Sequence, residues 1–166
     1  MIYLIISTII DQLLSTNITN TYQKLNYFFP LILITSLPIS YLLTKNKIIF
    51  FIAIIILGII YDLLYSDIPL INLYFLILLT LIIKIFYQNK KPTTLNITIL
   101  TLIGTITYDL YLSLILILTK SQNITINDII YKETHSLILN IIYLILSLII
   151  LKSRIFGSRK SLNKKY

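Results

Sequence analysis

The chain is predicted to be all-α, a polytopic integral membrane protein of six transmembrane helices arranged as three hairpins. Three observations lead there. Of its 166 residues, 57% are hydrophobic and only 12% charged, and the mean hydropathy is +0.91, far from the balance of a soluble globular domain. The apolar residues fall into six runs separated by polar links, as the thickness of a bilayer requires of membrane helices. The basic residues gather on the links that three consecutive hairpins place on one side.

The first run, Met1 to Thr16, has neither a basic leading stretch nor a small-residue cleavage site, and it reads as a retained helix instead of a removable signal. After a polar link from Asn17 to Lys24, the second span covers Leu25 to Leu43. Pro38 is expected to kink it, and Pro30 to shape its entry. The turn Thr44-Lys45-Asn46-Lys47 leads into the third span, Ile48 to Tyr65. Ser66-Asp67-Ile68-Pro69 has room only for a hairpin, so the fourth span, Leu70 to Tyr87, returns antiparallel. Its Lys84 is placed to snorkel to the interface. The basic link Gln88 to Thr94 precedes the fifth span, Leu95 to Leu118. A longer connection runs from Thr119 to His135, and its Ile124 to Glu133 stretch fits a short interfacial helix. The sixth span is Ser136 to Ile155. The transmembrane bundle thus occupies residues 1–155, and residues 156–166 form a basic tail.

Inside this apolar chain the acids stand out. The third span closes on Gly58-Ile59-Ile60-Tyr61-Asp62-Leu63-Leu64-Tyr65, and the fifth repeats the design with Gly104-Thr105-Ile106-Thr107-Tyr108-Asp109-Leu110. The two aspartates are 47 residues apart (109 − 62), and each lies fourteen residues past the start of its span. That is about 21 Å along a helix, in the far half of a hydrocarbon layer about 30 Å thick. Ile10-Asp11-Gln12-Leu13-Leu14-Ser15 echoes the pattern 51 residues earlier (62 − 11), which suggests a threefold repeat. An ionised side chain at mid-bilayer costs about 2.5 to 3.5 kcal/mol on insertion scales, so an intramembrane acid calls for a role. Asp11, Asp62 and Asp109 can each snorkel, bond a neighbouring helix, or line a polar cavity. Hydroxyls and amides such as Tyr61, Tyr108, Thr105, Thr107, Gln12 and Asn140, or protonation of the acid itself, are expected to stabilise them. Tyr61 and Tyr108 also suit an interfacial aromatic belt. Gly58 and Gly104 are two of only three glycines in the chain, which points to close helix approach.

Lys45, Lys47, Lys84, Lys90, Lys91, Lys152, Arg154, Arg159, Lys160, Lys164 and Lys165 share one side, against Lys24, Lys120 and Lys132 on the other. The positive-inside rule then makes both termini cytoplasmic and sets the acids toward the outer leaflet. The net charge of +8 is therefore read as topology control and lipid contact, not nucleic-acid binding. With no cysteine, neither a disulfide nor a thiolate metal site is available. His135 stands alone, at a loop-to-helix junction. Valine is absent and Ala53 is the only alanine, so Ser and Thr must supply the small residues at helix contacts. The same bias toward Asn and Thr produces the N-x-T matches at Asn17, Asn96 and Asn123 by chance. No nucleophile, base and orienter fall into a catalytic set, and no Gly-rich phosphate loop occurs. No enzyme activity, cofactor or metal is expected.

The stretch Gly58-Ile59-Ile60-Tyr61-Asp62-Leu63-Leu64-Tyr65, the proline-bearing second span, the number of spans and the basic tail resemble the bacterial rod shape-determining protein MreD family. The chain departs from that pattern after the acid, where Ser66 and Pro69 stand at positions often held by glycine. The resemblance implies a non-enzymatic inner-membrane component of the elongasome, the peptidoglycan synthesis machinery that maintains rod shape. It further implies the partners MreC, MreB, RodA and a class B transpeptidase, and a fold similar to the S-component of vitamin transporters. Two other classes remain open on the residues: a vitamin-binding subunit of an energy-coupling-factor transporter, and a proton-coupled carrier working through the aspartates.

Overall fold

A computed structural model describes residues 2–21, 31–65, 69–89, 92–119, 127, 130, 134 and 140–150, without the side chains of 15–21, 64, 65 and 116. All regular structure among the described residues is helical. In chain order the helices are α1 (Ile2–Thr21), α2 (Ile32–Leu43), α3 (Lys47–Tyr65), α4 (Ile71–Asn89), α5 (Thr94–Leu118) and α6 (Asn140–Ile150). Two of them, α4 over Ile71–Asn89 and α5 over Thr94–Ile115, are long and apolar enough to cross a membrane. Helix α1 runs on to Thr21, past the end of its apolar run, because an unbroken helical backbone does not need an apolar face to continue. The entry to the second span with Pro30, the far parts of the sixth, His135 and the basic tail lie outside the described residues. Of the expected interfacial stretch, residues 127 and 130 are described, and both are helical.

Helix α2 is the axis of the bundle. Every residue from Leu31 to Tyr41 is buried, as befits a helix that is apolar all round, and the helix continues through Pro38. Helices α1, α4 and α5 pack against it, and α3 packs on the outside of α4. Leu33, Ile34 and Leu37 of α2 form one apolar cluster with Leu4 of α1, Phe50 and Ile54 of α3, Phe75, Leu76, Leu79 and Ile83 of α4, and Leu100 of α5. Ile39 forms a second cluster with Ile97 of α5 and Leu144 of α6. Near the end of α2, Tyr41 meets the Phe50 ring edge-on at 5.5 Å and stacks on Tyr87 at 6.1 Å.

The outward faces are as apolar as the inner ones. Ile52, Ile56, Ile59 and Leu63 on α3, Leu78, Ile82 and Ile85 on α4, and Ile99, Ile103, Ile106 and Leu110 on α5 are all exposed. Continuous apolar faces of this kind go well beyond the scattered apolar residues of a soluble surface, and with the two membrane-length helices they mark the chain as membrane-associated.

Between helices the small residues are hydroxylic. Ser7, Thr8, Thr35, Ser36, Thr80, Thr101, Thr105 and Ser147 are buried. Each hydroxyl donates to a carbonyl three or four residues back in its own helix, at 2.7 to 2.9 Å. Folded back in this way, the side chain presents mainly carbon to its neighbour and packs as a small apolar residue. Across the α1 and α6 contact two hydroxyls also bond between helices. Tyr3 donates to Ser147, and Ser7 pairs with Tyr143 at 2.5 Å.

Candidate functional site

The first turn of a helix carries backbone N–H groups with no intrahelical acceptor, and it holds partial positive charge. In a bundle shielded from water those donors need a partner, and a carboxylate from another helix suits them on both counts. Asp62, near the end of α3, does this for α4. Its Oδ1 accepts from the Asn72 backbone N–H at 2.8 Å and from Asn72 Nδ2 at 3.1 Å, and its Oδ2 accepts from the Leu73 N–H at 3.0 Å. The turn that brings α4 back to meet it passes through Leu70, whose φ of 65° lies in the left-handed region.

Asp11 plays the same part for α2. Its Oδ1 accepts from the Ile32 N–H at 3.0 Å, and its other oxygen accepts from the Tyr61 hydroxyl. The neighbouring donor, the Leu31 N–H, reaches Asn140 Oδ1 on α6 at 2.9 Å. Tyr108 of α5 donates to Asn72 Oδ1 at 2.6 Å, and one turn on, Tyr111 donates to the Ile71 carbonyl at 3.2 Å.

Taken together these bonds link the helices around the bundle in a ring. Tyr61 ties α3 to α1 through Asp11, Tyr108 ties α5 to α4 through Asn72, and Asn140 ties α6 to α2 through Leu31; α5 and α6 share an apolar cluster through Ile97 and Leu144. Asp11, Asp62 and Asn72 are 6%, 7% and 4% exposed, so the bonds form with little competition from solvent. Asp109 is fully buried on α5 beside Tyr108, and Tyr108 lies within electrostatic range of Asp11, Asp62 and Asp109 together. Asp62 and Asp109 each stand fifteen residues past the first residue of their helices (62 − 47 and 109 − 94).

Inside the ring lies a cavity of about 20 Å³, lined by Asp11, Leu31, Leu33, Ile34, Tyr61, Asn72, Leu76 and Tyr108. Small-molecule sites span about 300 to 1,000 Å³, so this space is too small for a vitamin.

The two glycines differ in their surroundings. A Cβ added at Gly58 would stand 2.8 Å from the Leu73 Cα, so the backbones of α3 and α4 touch there, one turn before Asp62 meets the Leu73 N–H. A Cβ at Gly104 would meet Ile34 and Leu79 side chains at 3.5 Å, an ordinary contact. The Thr105 and Thr107 hydroxyls bond carbonyls of their own helix, not an acid. The residue that the sequence reading overlooked is Asn72, which joins Asp62 to Tyr108. Its one signal is a lone amide two residues into an apolar span. Among the described residues no three His, Cys, Asp or Glu side chains gather as metal ligands.

In comparisons with known proteins, the chain matches no protein-family model, no curated protein and no solved structure.

Proposed function

We propose that the chain is a six-span scaffold of the bacterial inner membrane that holds partner proteins of the cell-wall elongation complex, in the manner of the MreD family that its G-x-x-Y-D-L-L stretch resembles. The observation that carries this reading is the use made of the buried polar groups. Asp11, Asp62, Asn72, Asn140, Tyr61 and Tyr108 are all engaged in holding helices to one another, and the space between them is about 20 Å³. A site for turnover or transport needs polar groups that can reach a substrate. Here they serve rigidity, which suits a protein whose outer faces hold other helices. In this reading the aspartate ring faces the outer leaflet, and the lysine-rich turns and both termini face the cytoplasm.

The test is depletion of the protein in a rod-shaped host, with cell shape and wall insertion followed together with co-purification of MreC and RodA. Rounding of the cells, loss of ordered wall insertion and recovery of those partners are the expected results. Unchanged shape, or purification with a stoichiometric vitamin bound, overturns the proposal.

A further inference from the structure

The donors and acceptors around the central cavity do not balance among themselves. The Asn72 side-chain nitrogen carries two hydrogens, and one goes to Asp62 Oδ1. Its oxygen already accepts from Tyr108, so what Asn72 has left over is a donor. The Asp11 carboxylate accepts from the Ile32 N–H, the Tyr61 hydroxyl and the Leu33 N–H, and of its roughly four lone-pair sites one is left. The Tyr108 oxygen, having donated its own hydrogen, can still accept. One surplus donor and surplus acceptors on Asp11 and Tyr108 thus surround a space of about 20 Å³, enough for one water molecule.

We propose that a single water molecule is a fixed part of this protein, held in the cavity between Asp11, Asn72 and Tyr108. It accepts from the second Asn72 N–H and donates to Asp11 and to the Tyr108 oxygen. Three partners is the usual number for a buried structural water. A monovalent cation fits less well, because the capacity left on Asn72 is a donor, its oxygen already accepting from Tyr108. The water links the Asp11 cap of α2 to the Asn72 and Asp62 cap of α4, adding to the Tyr61 bond that joins α3 to Asp11.

Two measurements on the full-length protein in detergent test this. A high-resolution density map is expected to show one isolated peak within hydrogen-bonding distance of Asp11, Asn72 and Tyr108. X-ray hydroxyl-radical footprinting, which labels side chains next to bound water, is expected to mark Tyr108 or Leu76 although Leu76 is only 2% exposed. The variant Leu76→Phe, which enlarges a side chain lining the cavity, should remove the label and lower the melting temperature by several degrees, since expelling the water leaves polar groups unmatched. An unlabelled, featureless cavity in the unaltered protein overturns the proposal, as does a Leu76→Phe variant that melts higher, the behaviour of a filled dry cavity. Stability that rises with sodium or potassium at constant ionic strength also overturns it, in favour of an ion. If Leu76→Phe does not fold, the map and footprint of the unaltered protein decide alone.

Discussion

The two ends of α2 are held by different means. At its start, the Leu31 and Ile32 N–H groups meet Asn140 of α6 and Asp11 of α1, residues 109 and 21 positions away in sequence. At its finish, Lys47 donates to the Tyr41 and Thr44 carbonyls, six and three positions back, with its ammonium 4.0 Å from the centre of the Tyr41 ring. Both caps complement the helix dipole, negative at the start and positive at the end. Only the first says anything about which helix lies beside which. A local cap forms whenever the chain turns, whereas a cap drawn from α1 and α6 forms only when those helices are in place. Of the two caps of α2, the one at the aspartate end carries the specificity.

That contrast is sharpest if the acids are removed. Asp62→Leu strips three accepted bonds and leaves three donors at the head of α4 without a partner. At roughly 1 to 3 kcal/mol for each buried unmatched group, a loss of about 3 kcal/mol or more is expected in equilibrium unfolding. Asp11→Leu removes its bonds to the Ile32 and Leu33 N–H groups and the Tyr61 hydroxyl and should cost about 2 to 4 kcal/mol on the same basis. The corresponding Asn variants keep one acceptor oxygen and should lose less. Equal stability for the Leu and Asn variants would show that the caps contribute little.

Next in size is the pair of glycines. Gly58→Ala pushes a Cβ to within 2.8 Å of the Leu73 Cα. The backbones must separate, at a cost of about 1 to 3 kcal/mol, and the Asp62 bond to Leu73 should loosen with them. Gly104→Ala puts its Cβ at ordinary contact distance. It gains up to about 1 kcal/mol from helix propensity, so its melting temperature should hold or rise. Thermal unfolding of the two variants side by side separates a tight backbone crossing from mere scarcity of glycine.

Much of this architecture is legible in the sequence and part of it is not, for physical reasons. Apolar runs, links and the common position of Asp62 and Asp109 along their helices follow from hydropathy and from the 47-residue offset. The partners of the acids follow only in part. Threonine hydroxyls such as Thr105 and Thr107 look like donors on paper, but a carbonyl of their own helix is always within reach and takes them first. Tyr61, expected from its residue type to stabilise an acid, does donate to Asp11, but most of the other donors are backbone N–H groups at Ile32, Asn72 and Leu73, which no residue type advertises. The central place of α2 is hidden as well. When Ile and Leu fill every face of every helix, periodicity cannot tell the axis of a bundle from its rim.

The other end of α2 yields smaller effects. Lys47→Met removes two hydrogen bonds and a favourable charge near a helix terminus, interactions worth about 0.3 to 1 kcal/mol at partly exposed sites. The loss should be of that order and should leave the aspartate ring unchanged, as the footprint of Tyr108 can report. A loss as large as that of Asp11→Leu would mean that the local cap carries as much of the assembly as the distant one.

The smallest effect is also the most direct check on the asymmetry. Ser40 Oγ, on the last turns of α2, and the Tyr87 hydroxyl, on the ring stacked against Tyr41, are buried without a hydrogen-bond partner among the described residues. A hydroxyl in that state stabilises nothing and has given up its hydration. Ser40→Ala and Tyr87→Phe should therefore leave stability within about 0.5 kcal/mol of the starting protein, or raise it slightly, since removing an unmatched polar group is nearly neutral or favourable. The same chemical deletion at the other end, Tyr108→Phe, takes away a donor to Asn72 and should cost about 1 kcal/mol or more. If Ser40→Ala instead destabilises as much as Tyr108→Phe, then Ser40 makes a polar contact of its own beside the Tyr3 to Ser147 bond, and the difference between the two ends of α2 disappears.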